Sequence, residues 1–383
     1  MLSRLARPLA LALTFGCGGR VADPDPGSNH NVDRCALSER TLSSKFAWPD
    51  PDEAPALVWN GAGYGVAWMD FGHGVGPMDY SQSGTYFAAV DAAGNIVEAE
   101  HRIAAEALAG SPALAWTGDG YTLVTAAGGA HFARLDSAGE PLGHATELSD
   151  VWSFHSPASG VAFSGQSLAF VWRNTDDSLV SSLLACLEPS ASLIAEGSLA
   201  SGVRASIDAN VVWTGERFGV TWADDRSGSY EIYFAEFDAR CQPRAAVVRI
   251  SDTDGEASHP SLAWSGEFYG LSWLELYAEN DTRVRFQRIT PAGEPLGEAL
   301  AWSGRQLGLA WTGFDFALVY QTRLKSPSSL YLSRVDSAGL RTKDQLVAAD
   351  WKGYVWTAAA WNQGRLAIVS TQNEIVFRLA ECP

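Results

Sequence analysis

The chain repeats itself. Seven times a short apolar run ends in an aromatic residue, most often followed by a small polar residue and glycine, as in Leu57-Val58-Trp59-Asn60-Gly61 and Val211-Val212-Trp213-Thr214-Gly215. The aromatics are Trp59, Trp116, Phe163, Trp213, Trp264, Trp311 and Trp361, about fifty residues apart. A unit of that length cannot bury its own apolar face and must stack on its neighbours, so the period constrains the fold more than any composition does.

Within each unit the apolar runs are short, rich in Val, Trp, Tyr and Phe, and separated by turn residues, which is a strand signature. In the fourth unit the runs predict strand A at Ile207 to Trp213, B at Phe218 to Trp222, C at Glu231 to Phe237 and D at Ala245 to Ile250. Turns such as Asp91-Ala92-Ala93-Gly94 and Asp136-Ser137-Ala138-Gly139 join C to D; Asp caps the local backbone and Gly takes the left-handed conformation. Seven such units predict an all-β, seven-bladed β-propeller of four-stranded antiparallel blades over residues 35–383. The seventh unit ends at Pro383 after strand C, and Cys35 to Ser43 aligns with its missing strand D. The N-terminal strand is therefore expected to close the last blade and cover its open edge.

Closure brings Cys35 beside Cys382 and leaves Cys186 and Cys241 in neighbouring blades, so two disulfides are expected with those pairings. A bridge closing so long a loop contributes about 5 kcal/mol in the chain-entropy view.

Ahead of the repeats, residues 1–17 place Arg4 and Arg7 before an apolar run from Leu9 to Phe15 and end in Gly16-Cys17, the layout of an export signal. Gly16-Cys17 followed by Gly18-Gly19 resembles the lipobox of bacterial lipoproteins, which implies lipidation of Cys17 and membrane attachment through that anchor only. Residues 18–34, with Asp23-Pro24-Asp25-Pro26-Gly27, read as a flexible tether. The formal charge of −17, without a Lys/Arg cluster, excludes a nucleic-acid partner.

Motifs such as Phe218-Gly219-Val220-Thr221-Trp222-Ala223-Asp224 are similar to repeats of secreted bacterial propeller lipoproteins. Asp224-Asp225-Arg226 through Glu231-Ile232-Tyr233 resembles the pattern of TolB-like propellers, a likeness that implies architecture rather than activity. Sialidase boxes are absent, although Ser251-Asp252-Thr253-Asp254-Gly255 approaches one.

Tight A-to-B and C-to-D turns fall on one rim, so the longer B-to-C and D-to-A connections gather on the other, where a ligand is expected. The candidates there are Asp70, Trp152, Asp224, Arg226, Asp254, His259, Glu275 and Trp351: acids and an arginine for hydrogen bonds, tryptophans for stacking. No zinc, nucleophile-elbow or phosphate-loop motif is present, and no metal or catalytic residue is assigned. Asp252, Asp254 and Glu256 around Gly255 bear a partial likeness to calcium loops. The sequence thus reads as an exported binding scaffold for a glycan or protein; the competing reading is a glycoside hydrolase or polysaccharide lyase using loop carboxylates.

Overall fold

A computed structural model describes residues 35–44, 54–70, 83–104, 111–126, 130–149, 160–176, 179–200, 206–277, 281–322, 328–342, 344–351, 356–371 and 374–382. The signal, Cys17 and the tether lie outside the described residues, as do Trp152 and most of the long loop from Met69 to Gly84.

Twenty-eight strands form seven four-stranded antiparallel sheets, each a meander in chain order, arranged as the blades of a propeller. The last blade is the exception to chain order. Its strands are Trp356–Asn362, Arg365–Thr371, Ile375–Glu381 and, outermost, Ala36–Ser43 from the other terminus. Ala36 pairs with Glu381 and Thr41 with Val376, so the N-terminal strand satisfies the edge that strand C would otherwise expose.

Strand boundaries follow the sequence reading except in blade 4, where strand D shrinks to Val248–Arg249. Pro243 makes an isolated bridge to Phe237, as Pro141, Pro295 and Arg341 do at the matching places of blades 2, 5 and 6.

The core lies between blades rather than within one. Leu42, Val369 and Phe377 of blade 7 pack with Tyr64, Val66 and Trp68 of blade 1 in one buried cluster. The strand B tryptophans Trp68, Trp172, Trp222 and Trp273 are buried. The strand A tryptophans are half-buried instead, and five of the six lean on the aromatic that opens strand B, as Trp116 does on Tyr121 at 4.8 Å.

The C-to-D turns explain the disulfides. Their fourth residue is left-handed in six blades: Gly94, Gly139, Gly293 and Gly339, but also Ala191 and Cys241. Gly139 faces Phe87 in strand C of the preceding blade; Cys241 occupies the same place in blade 4 and is bonded to Cys186 in strand C of blade 3. Blade 7 has no C-to-D turn, and there the Cys35–Cys382 disulfide joins the two termini, 347 residues apart in sequence. Two disulfides fit an oxidising, extracellular or periplasmic compartment. Among the described residues no helix is long and apolar enough to cross a membrane.

Candidate functional site

Three consecutive inner strands are bulged near their starts, on the long-loop rim. In strand A of blade 4 (Ser206–Trp213), Ile207 pairs with Ala223 and Asn210 with Thr221, so Asp208 and Ala209 together face Trp222. In strand A of blade 5 (Glu256–Trp264), Ser258 pairs with Leu274 and Ser261 with Ser272, so His259 and Pro260 face Trp273. A third register shift falls between Gln306 and Gly308 in blade 6. A bulge of this kind re-aims the side chain of its extra residue.

Asp208 and His259 both carry φ of 52°, a conformation that costs a non-glycine residue about 1–3 kcal/mol. They also touch. The His259 backbone N–H donates to Asp208 Oδ2 at 3.1 Å, and the imidazole Nδ1 lies 3.4 Å from the same oxygen. The His259 ring stacks 5.9 Å from Trp356, the first residue of strand A in blade 7, at 25°. The guanidinium carbon of Arg305, first in strand A of blade 6, sits 4.2 Å from the same indole. A carboxylate, an imidazole, an indole and a guanidinium thus form a continuous row at one mouth of the ring, contributed by four successive blades. The His259 side chain is 35% exposed, and the indole Nε1 of Trp356 is buried without a hydrogen-bond partner among the described residues. Nearby, burial raises the Tyr230 phenol above its ordinary pKa, and the carboxylates of Asp225 and Asp208 push it the same way.

The acids singled out from sequence sit at the ends of strands B and are engaged within their own blades. Asp224 is fully buried and receives the Trp222 indole N–H at 2.7 Å and the Arg226 guanidinium at 2.6 Å. Arg226 in turn covers the Tyr233 ring at 4.4 Å. Glu275, also buried, accepts from Tyr277 and Arg285 at 2.7 Å each and from the Trp273 indole at 3.3 Å. Between them Glu231 is held by Arg249 at 2.8 Å, by the Thr253 backbone at 3.0 Å and by the Ser251 hydroxyl.

Asp70 ends strand B of blade 1, buried, and its charge helps burial raise the Tyr86 phenol. Asp254 is exposed in the loop leading to blade 5, while its neighbour Asp252 turns to Arg249 at 2.6 Å. Trp351 ends strand D of blade 6, opposite Ser328 on the outer side of the blade. Among the described residues no group of three or more His, Cys, Asp and Glu side chains has the arrangement to hold a metal ion.

Sequence reasoning singled out His259 and weighed Trp356 as a stacking residue, but did not single out Asp208 or Arg305. A signal existed: Asp208, His259 and Trp356 each stand five residues before the strand A aromatic of their repeat. The bulges at Asp208 and His259 have no sequence signature of their own.

No family model matches the chain, and its sequence has no significant match among curated proteins. Solved structures match in shape. BBS1N, crystallised in complex with ARL6DN, is 11% identical with a TM-score of 0.54 over 92% of this chain and 97% of that one. The polysaccharide lyase Uly1 is 9% identical with a TM-score of 0.52, over 91% and 99%. A neuraminidase-like protein from A/bat/Guatemala/164/2009 is 8% identical with a TM-score of 0.51, over 91% and 94%. At such identities the likeness is one of fold alone.

Proposed function

We propose that the chain is an exported, non-catalytic binding propeller, anchored through Cys17, whose glycan or protein ligand docks at the ring mouth on the long-loop rim. The observation that carries this reading is the contact between Asp208 and His259, two strained non-glycine residues at equivalent bulges of adjacent inner strands. Strain of this kind is retained where it positions recognition groups, and here the part-exposed imidazole stands beside the Asp208 carboxylate. Flat rings from His259 and Trp356 beside Asp208 and Arg305 suit a polar ligand with an apolar face, which favours a glycan.

We assign Asp70, Asp224, Arg226 and Glu275, in or just after their strands B, to the frame of this mouth, with Asp254 and Trp351 beside them; Trp152 belongs to the same candidate face and lies outside the described residues. Against a hydrolase or lyase stands the engagement of Asp224 and Glu275 by arginine and indole partners, which leaves neither carboxylate poised as a proton donor or as a water activator. Kinship with secreted TolB-like propellers belongs to the same proposal and rests on the Asp224-Asp225-Arg226 pattern.

A glycan array probed with the mature chain, run beside turnover assays on polysaccharides, tests the reading. Binding without turnover is expected. Turnover abolished by substituting Asp70, Asp224 or Glu275 would establish the enzyme instead. The anchor is tested separately: a clickable palmitate analogue should label the wild-type chain and not Cys17→Ser.

A further inference from the structure

On the opposite rim, turns of blades 2, 3 and 4 line a concavity of about 780 Å³. It lies where the repeat departs from its pattern. In five blades the aromatic that ends strand A packs against the one that opens strand B: Trp59–Tyr64, Trp116–Tyr121, Trp213–Phe218, Trp264–Tyr269 and Trp311–Phe316, all between 4.6 and 4.9 Å. Blade 3 carries Phe163 and Leu168 at these two places. Both are smaller, and Phe163 stands in the wall of the concavity.

The surrounding turns are fixed in place. The Cys186–Cys241 disulfide ties blade 3 to the C-to-D turn of blade 4, and the Ser167 hydroxyl donates to the Ala239 carbonyl of that turn at 2.6 Å. A ligand here meets a preorganised cavity and pays little ordering entropy.

We propose that this cavity binds a short neutral oligosaccharide, at a site independent of the ring mouth. The Phe163 ring offers a flat apolar surface to the C–H face of a sugar. Around it stand Arg134 and Arg240, Asp119 and Glu188, and the amide of Gln166, side chains that each offer more than one donor or acceptor to neighbouring hydroxyls. Two cations and two anions balance, so the lining itself selects for no charge, while the −17 charge of the whole chain disfavours an acidic glycan. The volume falls in the range of about 300–1,000 Å³ usual for small-ligand sites.

The test is titration calorimetry of the mature chain with cellotriose, maltotriose, chitotriose and trigalacturonate. At least one neutral trisaccharide should bind, and trigalacturonate should not. Phe163→Ala removes the apolar ring from a half-buried position and should weaken that binding at least about ten-fold. Gln166→Ala with Arg240→Ala, both at exposed positions, should weaken it too, whereas Trp356→Ala at the ring mouth should leave it intact. The proposal is overturned if no neutral trisaccharide binds, if trigalacturonate binds most tightly, if the Phe163→Ala or the double variant binds as well as wild type, or if Trp356→Ala removes the binding.

Discussion

Tyr269 of blade 5 lies flat over Gly219 of blade 4, so close that a Cβ there would come within 2.5 Å of the ring. The same phenol donates to Glu236 at 2.9 Å, which fastens the two blades at a point where one supplies a ring and the other only a hydrogen atom. Gly65 meets Tyr121 in the same way between blades 1 and 2. Gly219→Ala should therefore destabilise the protein by about 1–3 kcal/mol through overpacking, read from denaturant unfolding. An alanine variant as stable as wild type would mean that the blades slide apart at no cost.

The Cys35–Cys382 bridge takes the place of a turn that blade 7 lacks. A Cys35→Ser, Cys382→Ser double variant should lose up to about 5 kcal/mol and release the Ala36–Ser43 strand first, seen as early amide exchange in Ile375–Glu381. Exchange that begins elsewhere in the ring would contradict closure by the terminal strand.

Asp224 depends on Arg226, because the carboxylate is fully buried while the guanidinium is 31% exposed. Arg226→Ala leaves the charge with the Trp222 indole as its remaining side-chain partner. Stability should fall by about 3 kcal/mol, while the folded fraction keeps its ligand affinity at the ring mouth. Affinity lost without any loss of stability would move Arg226 from the frame into the binding site.

Burial pushes the Tyr64 and Tyr121 phenols up to about 12 from an ordinary 10.0. Tyr269 and Tyr320 are raised further, by burial and then by the carboxylates of Glu236 and Asp344. The folded state thus favours the neutral phenol. Its contribution is complete below pH 10.0 and is lost as the pH climbs toward about 12. Tyrosinate absorbance should rise together with loss of near-ultraviolet dichroism in that window. Ionisation of all tyrosines near pH 10.0 in a folded chain would contradict their burial.

The ring was legible because its period, its turns and its cysteines are each local in sequence, and Cys35 to Ser43 could be aligned with the missing strand by counting. The ring mouth was not. Asp208 and His259 acquire their meaning from a bulge, a two-against-one register set by how strands A and B settle around Trp222 and Trp273. Asp224 and Glu275 looked available in sequence because Arg226 and Arg285 carry no mark of the carboxylate they will cover. Phe163 was legible as a variant of the repeat, but the concavity beside it is completed by turns of two other blades.

The central claim is that strain at His259 is held for recognition, and His259→Gly tests it most directly. Glycine takes φ near 52° without penalty and keeps the backbone N–H that Asp208 accepts, while removing the imidazole. The measurement is thermal unfolding of the variant beside its binding across the glycan array. The account predicts a thermal midpoint equal to or above that of wild type, with binding at the ring mouth lost. A lower midpoint with binding unchanged would contradict it.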